Sequence, residues 1–366
     1  MKASDYIAQV VGAYHPFVVQ GGAAIHLIDS LARGGHQYVC CAHEQAAGFA
    51  ADGFAKMRGF GVAVTTCGPG ATNLLTAAAS AFFEHVPVLY LVGQQHGFQE
   101  LDVIGMFSSV TRFAKQVANP LMLAPDLEQA IELATSGSGP VVLNIFDEVY
   151  RAEISDQLVV PRLVSWQAPG NTVVFSKPRA CLPTAMPLLA SASINPYYFV
   201  RQLNRYSCQM VTDIGNHGVW VKQAAERAVI TDNHFGAMGY AIAASIGVAC
   251  AGHRVACITG DGSLQMNIQE LATIAKHDLD IKIFVLNNAG YGMIRCTQDR
   301  WLEGRHFGCD SRDLPQVDFE RVATAYGIAN RRWETHEDID FKAVFARNGP
   351  LLVNVRIDPD TGVYGE

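Results

Sequence analysis

The chain has 366 residues, 49% apolar and only 17% charged, and its 34 acidic against 27 basic side chains give a net charge of −7. That balance supplies a large core and excludes a disordered or fibrous chain. Mild acidity with no Lys/Arg run excludes the electrostatic footprint of a nucleic-acid or anionic-membrane binder. The length predicts two domains, and the sparse charge is consistent with surface buried between subunits. No apolar run approaches the roughly 18–20 residues of a membrane span. Met1 to Tyr6 lacks the apolar stretch of a secretory signal. Nine cysteines are scattered with no CxxC pair, which predicts reduced thiols in a cytoplasmic protein rather than disulfides or a zinc site.

Along the chain, strands are predicted at Phe17-Val18-Val19, Tyr38 to Cys41, Val62 to Thr66, Val86 to Val92 and Val141 to Ile145. Continuous apolar runs alternating with amphipathic stretches predict a parallel sheet covered on both faces. Prolines at 161, 169, 178, 183 and 187 then break any helical period, so 151–193 reads as a linker. Asn195-Pro196 places a cap and a first-turn proline at the start of a helix. A second series follows, with strands at Met210 to Thr212, Arg254 to Thr259, Ile281 to Leu286 and Leu351 to Val355. The expected fold is α/β, two doubly wound parallel-sheet domains at 1–150 and 194–366. No short repeat is visible.

The most specific signal is Gly260-Asp261-Gly262-Ser263 directly after a strand, with Asn287-Asn288 at the end of the next one. A glycine-rich turn into a helix offers free backbone N–H groups to a phosphate. Asp261 adds a hard oxygen, and Asn288 can supply an amide oxygen from the adjacent loop. Carboxylate, amide and phosphate oxygens together suit octahedral Mg²⁺. Taken singly, an Asp-Gly turn or an Asn-rich loop end is ordinary.

The spacing resembles the diphosphate motif of thiamine diphosphate (ThDP) enzymes. His43-Glu44-Gln45-Ala46-Ala47 and the run Thr66 to Asn73 are similar to the pyrimidine-binding domain of the acetolactate synthase family. Gly215-Asn216-His217, Gly236-Ala237-Met238-Gly239 and GDGSLQMNIQELAT at 260–273 are similar to that family's pyrophosphate domain. Full-length members carry a middle domain where this chain has its linker, a layout closer to phosphonopyruvate and sulfopyruvate decarboxylases. The resemblance implies that Glu44 hydrogen-bonds N1′ of the aminopyrimidine; read alone, it is a helix-initiating acid near the positive end of a dipole. Gly68, Pro69 and Asn73 fall on the pyrimidine side, and Phe98-Gln99-Glu100 resembles a family Phe-Gln-Glu, making Phe98 and Gln99 candidate catalytic residues. Asn216 and His217 match a Gln-His pair that contacts the diphosphate. Met238 matches the apolar wedge under the cofactor, although a lone Met in a Gly-rich turn is also core filler. The Gly236 carbonyl would accept from the 4′-amino group. Gly260, Gly262, Ser263 and Met293 complete the cofactor set, and Asp261, Asn288 and the Gly290 carbonyl would ligate the metal.

Departures from that pattern lie on the substrate side. The family lysine near the end of the first domain is replaced, at Asp147, and its tryptophan after Gly292-Met293 is replaced by Thr297. Without the middle domain, no FAD is expected. Loop histidines His85 and His96 are weaker substrate-contact candidates, read as near the C-terminal ends of strands. The activity implied is ThDP- and Mg²⁺-dependent decarboxylation of a 2-oxo acid, with transfer of the activated aldehyde to a carbonyl acceptor, by a homo-oligomer (a homodimer or homotetramer) whose sites are shared between subunits. A decarboxylase without an acceptor is the alternative, and a catalytically silent homologue the second. A dinucleotide oxidoreductase is disfavoured, since no GxGxxG follows the first strand.

Overall fold

The computed structural model describes residues 1–137, 139–155 and 193–363. Most of the linker at 151–193 lies outside the described residues. The chain divides into two compact units, whose described parts are 1–155 and 193–363.

In the first unit, β1 (Phe17–Val18), β2 (Val39–Cys40), β3 (Gly61–Thr65), β4 (Val88–Gln94), β5 (Phe113–Val117) and β6 (Val141–Phe146) form one sheet ordered β2-β1-β3-β4-β6-β5. In the second, β7 (Gln209–Thr212), β8 (Val229–Ile230), β9 (Val255–Gly260), β10 (Ile281–Asn287), β11 (Ala329–Trp333) and β12 (Leu351–Arg356) are ordered β11-β12-β10-β9-β7-β8. Every pairing within the two sheets is parallel. Read from the opposite edge, the second order repeats the first strand for strand. The repeat is one of topology, which is why the residues did not display it.

Strands β3, β4, β6, β9 and β10 are buried along their whole length, as expected of sheet centres sandwiched by helices. Val62, Leu89 and Leu143 anchor the first core, and Phe199, Phe284 and Trp333 the second. In each unit the chain leaves its first strand in one direction, then crosses to the third on the other side. Loops after those two strands diverge there, opening a crevice at the strands' C-terminal ends.

Two expectations are corrected. His85 stands ahead of β4, at that strand's N-terminal end, in a left-handed turn at φ +55° with its Nδ1 2.8 Å from Arg112 Nη2. It is therefore remote from the crevice end. Three strands, β5, β8 and β11, were not anticipated. All three lie at or beside an edge, where one flank meets solvent and a short or polar sequence such as Ala329-Asn330-Arg331-Arg332-Trp333 suffices.

Candidate active site

In the second unit, a cavity of about 380 Å³ opens at the crevice between the ends of β7 and β9. Asn216, His217, Gly236, Met238, Gly260, Asp261, Gly262, Ser263, Asn288, Gly290 and Met293 all line it. These are all of the site residues expected in this half, drawn together from four separate stretches of sequence.

Close approach explains the glycines. A Cβ on Gly262 would fall 2.2 Å from Tyr291 Cε1, and one on Gly260 would fall 2.9 Å from His217 Nδ1. Only a bare backbone lets Tyr291 and His217 close the cavity wall. Asp261 begins the short helix Asp261–Met266 and is 9% exposed. Burial pushes its carboxyl up to about 6, against backbone N–H donations from Gly262, its own residue and Gly290. The Asn288 amide lies 2.7 Å from the Gly290 carbonyl oxygen and 3.1 Å from Arg295 Nη2. With its nitrogen toward Gly290 it makes a hydrogen bond. With its oxygen there, two acceptors face each other beside a buried carboxylate, an arrangement that a hard cation resolves.

Among the described residues, no group of three His, Cys, Asp or Glu side chains is placed to hold a metal. A cation here would take one carboxylate, one amide, one carbonyl and the oxygens of its ligand. The polar wall is also incomplete. His217 Nε2 and Asn216 Oδ1 are buried without a hydrogen-bond partner. Burial pushes His217 down to about 3, so the ring is neutral and can present an N–H at Nε2. Orphaned polar atoms, a cation-ready oxygen set and apolar Met238 and Met293 fit a ligand with an anionic end and a flat apolar body.

Two acids were missed. Asp213, at the end of β7, accepts from Thr259 Oγ1 at 2.5 Å and from Ala241 N at 2.7 Å, and burial raises its carboxyl to about 7. Asp232 follows β8 and is 1% exposed. Both stand just beyond a strand in a Thr-Asp pair, the position that Thr259-Gly260-Asp261 occupies one residue later. That pattern was the available signal.

In the first unit, Glu44 is the first residue of the helix Glu44–Arg58, capped by His43, whose Nδ1 accepts from Gln45 N at 3.2 Å. The helix-start position is therefore real. Its carboxylate is half-buried and accepts from Asn73 Nδ2 at 2.9 Å, an interaction that a bare helix start does not require. Asn73 belongs to the helix Pro69–Phe83, which Gly68 precedes at φ +57°. Gln99 packs across that turn, with its Cβ 2.7 Å from where a Gly68 side chain would begin and its Oε1 3.6 Å from Cys67 Sγ. Glu44, Asn73, Gly68, Pro69 and Gln99 thus stand in the loops and first helical turns that follow β2, β3 and β4. The Phe98 ring is 73% exposed, outside that group. His96 stacks on Phe146 at 4.4 Å with Glu100 and Glu148 each 3.6 Å away, and Asp147 pairs with Arg151 at 3.0 Å.

Residues 1–108 match the N-terminal TPP binding domain of thiamine pyrophosphate enzymes, and residues 213–355 match the C-terminal TPP binding domain. The large subunit of acetolactate synthase isozyme 2 from Escherichia coli (strain K12) is 24% identical over 514 residues, covering 95% of this chain and 93% of that protein. Acetolactate synthase from Arthrospira platensis is 24% identical over 539 residues, with 96% and 93% covered. The acetolactate synthase large subunit of Cyanidium caldarium is 36% identical over 160 residues, 42% of this chain and 27% of that protein. The two long alignments exceed the 366 residues of this chain, so those relatives carry sequence for which it has no counterpart. Among the described residues, no helix is long and apolar enough to cross a membrane. With both TPP-binding domains matched and a cavity built from the residues of their motifs, the chain belongs to the thiamine pyrophosphate enzymes, in a form shorter than the acetolactate synthase large subunits it resembles.

Proposed function

We propose that this chain is a ThDP- and Mg²⁺-dependent enzyme that decarboxylates a 2-oxo acid and passes the resulting aldehyde unit to a carbonyl acceptor. The supporting observation is the cavity itself. Asp261, the Asn288 amide and the Gly290 carbonyl stand in the lining of one cavity that His217, with its unpartnered Nε2, also lines. When bound, ThDP supplies the carbon nucleophile that adds to the 2-oxo acid and the electron sink that lets CO₂ leave. Asp261, Asn288 and the Gly290 carbonyl would hold Mg²⁺ against the diphosphate, with Asp261 ionised by the cation. Neutral His217 would donate its Nε2–H to a diphosphate oxygen, and the Gly262 and Ser263 backbone would line the same end. Met238 and Met293 would exclude water from the ring portion. Glu44, held by Asn73, would keep a proton shared with N1′ of the pyrimidine, while Gln99, Gly68 and Pro69 would line that end.

The domain assignment follows: 1–150 binds the pyrimidine, 194–366 binds the diphosphate, and 151–193 joins them. The family resemblance implies that each cofactor bridges two subunits of a homo-oligomer, and the scattered cysteines without a CxxC pair support a cytoplasmic protein. A closed two-fold assembly would pin both halves of each site at once. A decarboxylase without an acceptor is the second reading. It is favoured by Thr297, a small residue whose hydroxyl is bound to Met293 O at 3.0 Å, where the synthases would offer tryptophan.

The test incubates the ThDP- and Mg²⁺-loaded protein with a panel of 2-oxo acids, with and without aldehyde or 2-oxo acid acceptors, and reads CO₂ and products by mass spectrometry. Acyloin formation supports the carboligase, and aldehyde alone supports the decarboxylase. No cofactor-dependent CO₂ from any donor overturns both.

A further inference from the structure

Gly236 and Met238 reach the cavity on the loop between β8 and the helix Tyr240–Cys250. Packing alone does not hold this loop, since Phe235 is 42% exposed and His234 is exposed. Its ends are tied where Asn233 Oδ1 accepts from Lys222 Nζ at 3.1 Å and the Gly239 carbonyl accepts from Asn267 Nδ2 at 3.0 Å. Between them Asp232 grips the backbone: one carboxylate oxygen accepts the Phe235 N–H at 3.2 Å and the other accepts the Ala237 N–H at 2.9 Å. Asp213 holds the far end through the Ala241 N–H. The Ala237 N–H and the Gly236 carbonyl belong to one planar trans peptide, so they point in opposite directions. A carboxylate that captures the N–H therefore turns the carbonyl away from itself, and Gly236 at φ +75° permits the turn. Donation to an anion is also stronger than donation to a neutral acceptor, and it polarises the carbonyl on the same peptide.

We propose that Asp232 is a positioning residue that aims the Gly236 carbonyl and strengthens it as an acceptor for the amino group of the cofactor's pyrimidine ring. This rests on the ThDP reading of the cavity. Two N–H groups need two acceptor oxygens, which a carboxylate supplies and a side-chain amide does not. Asp232 lies near a second buried acid, Asp213, whose carboxyl is raised by burial and further by the Asp232 charge.

Asp232→Asn and Asp232→Ser are compared with wild type, each loaded with ThDP and Mg²⁺. Asn preserves size and one acceptor oxygen but sets an NH₂ against one of the two N–H groups. The readouts are melting temperature, ThDP affinity from fluorescence of Trp220 in the cavity wall, kcat and KM, near-ultraviolet circular dichroism of the bound cofactor, and hydrogen exchange over residues 233–240. Expected for Asn are a melting temperature within a few degrees of wild type, ThDP affinity within about 3-fold, kcat lower by about 10-fold or more at little-changed KM, faster exchange at Phe235 and Ala237, and an altered cofactor dichroism band. Ser should lower kcat further. Unchanged kcat and dichroism, or a kcat loss that only tracks lost ThDP occupancy or lost folding, overturns the role of Asp232. If wild type itself shows no saturable ThDP binding, the function reading falls, and this inference with it.

Discussion

His217 lies in the cavity wall, 7% exposed, and burial pushes its pKa down to about 3. Unfolded, the same ring titrates near 6.5. Between those values the unfolded chain binds a proton that the folded chain refuses. The contribution of a neutral His217 to stability is therefore complete above about pH 6.5 and is lost as pH falls toward 3, by up to ~1.4 kcal/mol per pH unit. Chemical denaturation of cofactor-free wild type and His217→Gln should give stabilities that diverge below pH 6.5, with wild type falling faster. Parallel curves would show that the ring is not held neutral. Glu44 carries the second prediction at this scale. Glu44→Gln should keep ThDP affinity within a few-fold yet lower kcat by about 10²–10⁴, because an amide cannot hold the shared proton. Near-wild-type hydrogen exchange at C2 of bound ThDP in that variant would contradict the role.

The helix Pro196–Leu203 shows what local sequence determines. Asn195 Oδ1 accepts from Tyr197 N at 2.9 Å and Tyr198 N at 3.2 Å, and Pro196 occupies the first turn, where its missing N–H costs nothing. Asn195→Ala should cost about 1 kcal/mol in urea unfolding while Asn195→Asp costs little; equal stability of the Ala variant would remove the cap from the account. Capped helices and fully buried strands were legible because one chemical requirement dominates each. Apolar runs such as Val88 to Val92, bounded by turn residues, suit a sheet centre, and the Gly260–Ser263 turn, ordinary by itself, gained its meaning from Asn287-Asn288 at the end of the next strand. The edge strand Phe113–Val117 was not legible: half-exposed, with Lys115 bonded to Asp126 at 2.6 Å, it carries no apolar run to announce it. The role of Asp232 was equally hidden, because it depends on which backbone N–H groups turn back toward it, and sequence spacing alone does not report that.

At the scale of the molecule, two sheets with the same strand order each present a crevice at the C-terminal ends of their strands. The residues proposed to hold the pyrimidine and those proposed to hold the diphosphate therefore lie beyond the C-terminal ends of strands in units of matching topology. If each cofactor bridges two subunits, Glu44→Gln protein mixed with Asp261→Ala protein should regain activity after subunit exchange, since a mixed dimer holds one intact site. Exchange verified by native mass spectrometry without recovered activity would place each site within one chain. The proposed chemistry depends on the second-unit cavity binding ThDP through Mg²⁺, and calorimetry tests that directly. ThDP titrated into wild-type protein should bind saturably with Mg²⁺ present and weakly with EDTA, whereas Asp261→Ala, folded by circular dichroism, should show no Mg²⁺-dependent binding. Equal ThDP affinity in wild type and Asp261→Ala, or wild-type binding indifferent to EDTA, would contradict the account.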